Sequence, residues 1–200
     1  MEIAQFLDRL PRGDLWVFGY GSLMWSPGFR PSARATALVR GYHRALCILS
    51  SRYRGTPEKP GLVMGLCRGG SCWGMALRVP ATRVGRVLTA LWKREMLNNV
   101  YKPTLIPVLL APGRHVRQVR QVRQVRALAF VADTTHRQFV RELDLHGRAR
   151  LVAQGIGQRG PCVDYIRNTL EHMLELGVND PHLARILNAA MDLSAGKKQK

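Results

Sequence analysis

The residues best suited to chemistry are the run Tyr20-Gly21-Ser22-Leu23 and one glutamate far from it, Glu95. The segment Val17-Phe18 leads an apolar strand into Gly19 and Gly21, which carry no Cβ, so several consecutive N–H groups can be turned toward an anion or a carbonyl oxygen. A dinucleotide fingerprint would need a third glycine where Met24 stands. A hydrolase elbow would need glycine two residues on either side of Ser22, where the chain has Tyr20 and Met24. Neither pattern fits. The six histidines (His43, His115, His136, His146, His172, His182) form no HExxH or other close metal pair, and Cys47, Cys67, Cys72 and Cys162 form neither a CxxC nor a Cys/His zinc pattern. The expectation is buried, reduced thiols and no metal, which leaves carboxylate chemistry.

Glu95 stands out by its position on a helix. Between Ala81 and Glu95 the apolar residues Val84, Val87, Leu88, Leu91 and Trp92 share one face, with Arg83, Arg86, Lys93 and Arg94 on the others. Advancing about 100° per residue from Val84 returns Glu95 to within ~20° of the apolar stripe, so its carboxylate points inward. Burial would lift its pKa from about 4.3 and make it a better proton acceptor near neutrality. The ordinary alternative, an ion pair with Arg94, is poorly served by a helix because adjacent side chains diverge. Glu58 lies in a Pro/Gly-rich turn, and the remaining acidic residues suit solvated, paired or helix-start positions.

The rest of the chain must position these two features. A short amphipathic helix with Ile3, Phe6, Leu7 and Leu10 precedes a buried strand from Leu15 to Tyr20. Four strand-like segments follow, Ala35–Val39, Tyr42–Leu49, Leu62–Cys67 and Cys72–Val79, with turn chemistry at Gly55-Thr56-Pro57, Lys59-Pro60-Gly61 and Gly69-Gly70. Such spacing implies antiparallel pairing and a closed barrel. After the Glu95 helix, Val100–Leu110 and Val125–Ala132 read as strands, and the prolines at 103 and 107 favour edges or bulges. Between them Arg114, Arg117, Arg120, Arg123 and Arg126 recur in a Val-Arg-Gln repeat whose period of three keeps no single face, as expected of a solvated hairpin connection. Thr135 and Gln138 form a capping-box pair before Phe139, Val140 and Leu143, with Gly147 as the stop. Gly155, Gly157 and Gly160 mark a loop. Pro161 opens a helix burying Val163, Ile166, Leu170 and Met173, and Asp180-Pro181 caps another burying Leu183, Ile186, Leu187 and Ala190.

With 200 residues and 46% hydrophobic content, the chain suits a single domain over 1–195 with a frayed basic tail at 196–200. No apolar run approaches ~20 residues, and acidic Glu2 and Asp8 stand where a secretory signal would be basic, so the expectation is a cytoplasmic protein without a membrane span. The formal charge of +18 favours anionic ligands. Aromatic residues are not interleaved with the basic ones as a nucleic-acid stacking platform requires, so nucleic acid is the weaker reading.

The ordered motifs Phe18-Gly19-Tyr20-Gly21-Ser22-Leu23-Met24-Trp25, Arg40-Gly41-Tyr42-His43-Arg44 and Arg54-Gly55-Thr56-Pro57-Glu58-Lys59-Pro60-Gly61 resemble the ChaC-type γ-glutamylcyclotransferases. The resemblance continues through Trp73-Gly74, Arg94-Glu95, Val100-Tyr101 and Gly160-Pro161 to Tyr165, spanning about residues 15–190. It implies an α+β fold, a small mostly antiparallel β-barrel with packed helices, and a cofactor-free enzyme that converts glutathione to 5-oxoproline and cysteinylglycine. Other γ-glutamyl peptides or amines are the alternative substrates, and an inactive basic nucleic-acid-binding protein on the same scaffold is the alternative class. By resemblance Glu95 is the catalytic proton shuttle, and Tyr20, Gly21, Ser22 and Leu23 hold the γ-glutamyl group. Arg44 and Arg54 are candidates for the anionic ends of the peptide, with structural pairing as their other reading. The chain departs from the family pattern at Asn98-Asn99-Val100-Tyr101, at Cys162 and in the Val-Arg-Gln repeat.

Overall fold

A computed structural model describes residues 3–111 and 123–196. Helix α1 (Ile3–Leu7) precedes strand β1 (Leu15–Gly19), a 3-10 turn (Ser22–Met24), β2 (Ala33–Ser50) and β3 (Gly61–Val79). Helix α2 (Val84–Glu95), β4 (Tyr101–Ala111), β5 (Arg123–Ala132) and α3 (Leu145–Gln154) follow. The last elements are a small hairpin, β6 (Ile156–Gly157) and β7 (Gly160–Pro161), then α4 (Cys162–Glu175) and α5 (Pro181–Gly196). The strands close into a barrel in the order β1-β3-β2-β4-β5, antiparallel except where β5 runs parallel to β1 and β3. Residues 112–122, which hold Arg114, Arg117 and Arg120 of the repeat, lie outside the described residues; Arg123 and Arg126 belong to β5 and are exposed.

The period of two divides the sheet residues between two apolar clusters. Phe18, Val39, Leu62, Leu66, Ile106 and Ala129 pack with Val152, Ile166 and Ile186 of α3, α4 and α5. Val17, Leu77, Leu128 and Phe130 pack instead with Leu88 and Leu91 of α2 and with Phe6 of α1. Adjacent residues such as Val17 and Phe18, or Leu128 and Ala129, face opposite ways, so both faces of the barrel wall are covered.

Four sequence expectations change. The four strands between 35 and 79 are two long ones, paired in register from Ala33↔Arg78 to Ser50↔Gly61. Gly69-Gly70 makes no turn: Gly41, Gly69 and Gly70 all have positive φ and sit at the register shift between Arg40 and Tyr42, where a bulge needs the same left-handed backbone as a turn. The capping-box helix after Thr135 is absent. Thr135 donates to Asp133, Gln138 Nε2 donates to the Leu49 carbonyl, and Phe139 bridges Ile48, so tertiary bonds claim the would-be cap. The helix instead begins at Leu145, capped by Asp144, whose side chain accepts the Gly147 N–H at 2.7 Å; the expected stop residue lies in the first turn. Finally, α4 buries Cys162, Tyr165, Ile166, Thr169 and Met173, a stripe rotated from the expected one so that Val163 and Leu170 are only half-buried. Helix α5 buries Leu183, Ile186, Leu187 and Ala190 as its pattern requires.

Replacing Asp144 with alanine removes the cap of α3 and should lower stability by about 1 kcal/mol in urea unfolding. Thr135→Ala, at the cap position that sequence alone favours, should have a clearly smaller effect.

Candidate active site

A cavity of about 540 Å³ opens between the glycine loop, the C-terminal end of α2, the end of β2 and α4. Tyr20, Gly21, Ser22 and Leu23 line one side, Arg94 and Glu95 another, and Ser50, Arg52, Tyr53 and Arg54 a third. The volume lies in the range of small-molecule sites.

The loop is shaped by what glycine permits. At Gly21 an added Cβ would lie 2.8 Å from the Tyr165 hydroxyl, so only glycine lets α4 approach this closely. At Gly19 a Cβ would press to 3.0 Å against Leu23. The chain then enters the 3-10 turn, in which Met24 N–H bonds the Gly21 carbonyl at 2.9 Å, while the first N–H groups of such a turn have no partner within it. Trp25 packs on Tyr165 and His172 of α4, with ring centroids 5.9 and 5.1 Å apart.

Glu95 is the last residue of α2 and lines this cavity, with 17% of its side-chain surface accessible. Burial holds its pKa above the ordinary 4.5, against the opposing pull of Arg94 and Arg159. The negative end of the helix dipole adds to that upward pressure. Contrary to the sequence expectation, Arg94 pairs with it directly: Nε lies 2.9 Å from Glu95 Oε1. The helix ends here, and the long arginine side chain curls back across the terminus instead of diverging. The same guanidinium donates to Ser22 Oγ at 2.8 Å and to the Ser26 carbonyl at 2.6 Å, tying the glycine loop to the carboxylate.

Three tyrosines complete the polar wall. Tyr20 donates to the Phe130 carbonyl at 2.6 Å, and Tyr101 donates to the Met64 carbonyl at 2.9 Å. Tyr165 accepts the Met64 N–H at 3.1 Å. Burial raises the pKa of all three phenols, so they stay neutral. Tyr101 and Tyr165 were not among the site residues expected from sequence. The stripe expected for α4 ran through Val163, Ile166, Leu170 and Met173 and so did not point to Tyr165, which the rotated face buries.

The two expected arginines part company. Arg54 lines the cavity, donates to the Pro161 carbonyl at 3.1 Å and lies 5.4 Å from the Tyr165 ring centroid. Arg44 is not among the lining residues. Its guanidinium donates to the Tyr20 carbonyl at 2.5 Å and the Trp73 carbonyl at 2.7 Å, so it braces the loop from behind and has its donors engaged by backbone. That placement matches the structural reading of Arg44 that the sequence left open beside a ligand role. Among the described residues no group of three or more His, Cys, Asp or Glu converges as a metal site, and no helix is long and apolar enough to cross a membrane. The four cysteines are buried and free.

A barrel closed in this order, with α2 delivering a glutamate beside a Gly-Ser loop, defines the γ-glutamylcyclotransferase fold. A crystal structure of a γ-glutamylcyclotransferase specific to glutathione, from yeast, superposes with a TM-score of 0.80 at 20% identity, covering 90% of this chain and 96% of that one. The family model for ChaC-like proteins matches residues 15–192, and the chain belongs to the ChaC family. It is 33% identical over 192 residues to the glutathione-specific γ-glutamylcyclotransferase of Escherichia coli strain K12, covering 96% of this chain and 79% of that protein. The human glutathione-specific γ-glutamylcyclotransferase 1 is 30% identical over 190 residues, covering 90% and 82%.

Carbon-13 NMR of the Glu95 carboxyl should show a titration midpoint above 4.5. Arg94→Ala should move that midpoint further upward, because the partner that favours the ionised form is gone. A midpoint at or below 4.5 in the wild type would contradict the desolvated setting.

Proposed function

We propose that this protein is a glutathione-directed γ-glutamylcyclotransferase that works in the cytoplasm. The single observation that carries the reading is a desolvated carboxylate, Glu95, facing the same cavity as the Tyr20-Gly21-Ser22-Leu23 loop. The names of its relatives in Escherichia coli and human support glutathione as the substrate. Buried free cysteines suit a reducing compartment.

In this reaction the α-amine of the γ-glutamyl group attacks its own γ-carbonyl. A five-membered lactam, 5-oxoproline, closes, and the C–N bond to cysteinylglycine breaks. The nucleophile belongs to the substrate, so the protein supplies conformation and proton transfer. Holding the amine against the carbonyl can be worth effective molarities of ~10⁵ M or more. Glu95 takes a proton from the ammonium, freeing the attacking lone pair, and later returns one to the departing amine. Its raised pKa suits both duties, since a strongly acidic carboxyl would neither take the first proton readily nor retain it for the second. Backbone N–H groups of the loop hold the γ-glutamyl carboxylate or the developing oxyanion. Ser22, whose Oγ accepts from Arg94, binds and does not attack. Arg54 takes an anionic group of the substrate.

Purified protein incubated with glutathione should release 5-oxoproline and cysteinylglycine; absence of both disproves the assignment. Glu95→Gln should reduce kcat by about 10²–10⁴-fold. Because the base must be ionised, activity should fall as the pH drops through the Glu95 pKa, with a midpoint above 4.5. Arg94→Ala should shift that acidic limb to higher pH.

A further inference from the structure

The cavity carries more positive charge than the proton-transfer chemistry needs. Its charged lining residues are Arg52, Arg54, Arg94, Arg159 and Glu95, and Arg94 is already paired with the only carboxylate. The other three arginines sit on two segments clamped together at the mouth. Gln158 N–H bonds the Arg52 carbonyl and Arg159 N–H bonds the Tyr53 carbonyl, both at 2.9 Å. This approach depends on glycine, since a Cβ at Gly157 would lie 2.5 Å from the Tyr53 carbonyl carbon and one at Gly155 would lie 2.4 Å from the Arg54 carbonyl oxygen. The fold thus crowds like charges together. Burial lowers the Arg54 pKa first of all, and the neighbouring charge of Arg159 lowers it further while Asp164 opposes.

Among these arginines Arg159 differs in what its side chain does. Arg52 Nε donates to Gln158 Oε1 at 3.1 Å, and Arg54 donates to the Pro161 carbonyl. The Arg159 guanidinium lies over the Tyr53 ring, 4.3 Å from its centroid, and its N–H fork has no hydrogen-bond or ion-pair partner among the described residues. A guanidinium held by stacking with its donors open is pre-organised for a carboxylate. It is also close enough to Glu95 to act on the same chamber.

We infer that Arg159 is a specificity-determining residue whose guanidinium binds the C-terminal carboxylate of the γ-glutamyl tripeptide. The inference rests on the reading of this cavity as a γ-glutamylcyclotransferase site. The γ-glutamyl end must lie where its amine reaches Glu95, beside the glycine loop. The leaving dipeptide then extends toward the remaining wall, formed by Ser50 to Arg54 and Arg159. Its terminal carboxylate is the group with which an open guanidinium at the mouth pairs. Compounds that end before that carboxylate, or carry it masked, lose this contact and keep every other.

The test compares glutathione with its glycine monoethyl ester, measuring 5-oxoproline release by the wild type and by Arg159→Ala and Arg159→Lys. The wild type should favour glutathione over the ester by about tenfold or more in kcat/KM, chiefly through KM. Arg159→Ala should raise KM for glutathione by about tenfold and collapse the preference to about twofold, because the ester has little to lose. Arg159→Lys should fall between them, keeping the charge without the fork. Equal use of both substrates by the wild type overturns the subsite without needing any variant. An equal loss on both substrates in Arg159→Ala also overturns it, since that would place the residue's effect on Glu95 or on the fold. A wild type that releases 5-oxoproline from neither substrate overturns the enzymatic reading itself.

Discussion

The site depends on one guanidinium. Arg94 reaches Glu95 Oε1, Ser22 Oγ and the Ser26 carbonyl at once, and so fixes a helix terminus to a loop more than sixty residues earlier in the chain. A carboxylate at the negative end of a helix and out of bulk water is doubly disfavoured. An arginine partner makes its ionised form tolerable without drawing its pKa down to the surface value. Removing one member of such a pair is far more damaging than never having built it, because the other charge is left without compensation. The Glu95 carboxylate and the glycine loop are therefore a single mechanical unit.

Around that unit the barrel supplies backbone, and tyrosines supply what the backbone lacks. Strand β3 meets β5 at Leu66 alone among the described residues, and the peptide groups of Met64, two residues earlier, are met by side chains of α4 and of the start of β4. Tyr101 takes its carbonyl and Tyr165 its N–H. Each buried phenol thereby satisfies itself and a strand group that would otherwise be orphaned. The result is a wall polar enough to hold three hydroxyls but dry enough to keep a carboxyl weakly acidic.

How legible this was from the sequence depends on whether a signal was local. The face of α2 that carries Glu95, the strand before Gly19 and the burial of α5 follow from periodicity, which neighbours in sequence determine. The Arg94–Glu95 pair was masked by the assumption of an unbroken helix, which fails at a terminus. Gly69-Gly70 was ambiguous because turns and bulges ask the same backbone of glycine, and only the partner strand decides between them. The cap at Thr135 lost to long-range bonds from Leu49 and Ile48, which no window around residue 135 contains. Arg44 and Arg54 are alike as residue types; one found backbone carbonyls behind the loop and the other the cavity. Tyr101 and Tyr165 were missed as site residues because their partner, Met64, is distant in the chain.

The bond from Met64 N–H to the Tyr165 hydroxyl spans 101 residues, and it has a consequence for the order in which the chain is made. A ribosome delivers the Gly-Ser loop first, Glu95 midway and α4 near the finish. Until α4 docks, the loop lacks the Tyr165 hydroxyl that sits against Gly21, and the cavity that Glu95 lines lacks one of its walls. The cavity that joins loop, carboxyl and helix is therefore complete only once α4 is in place.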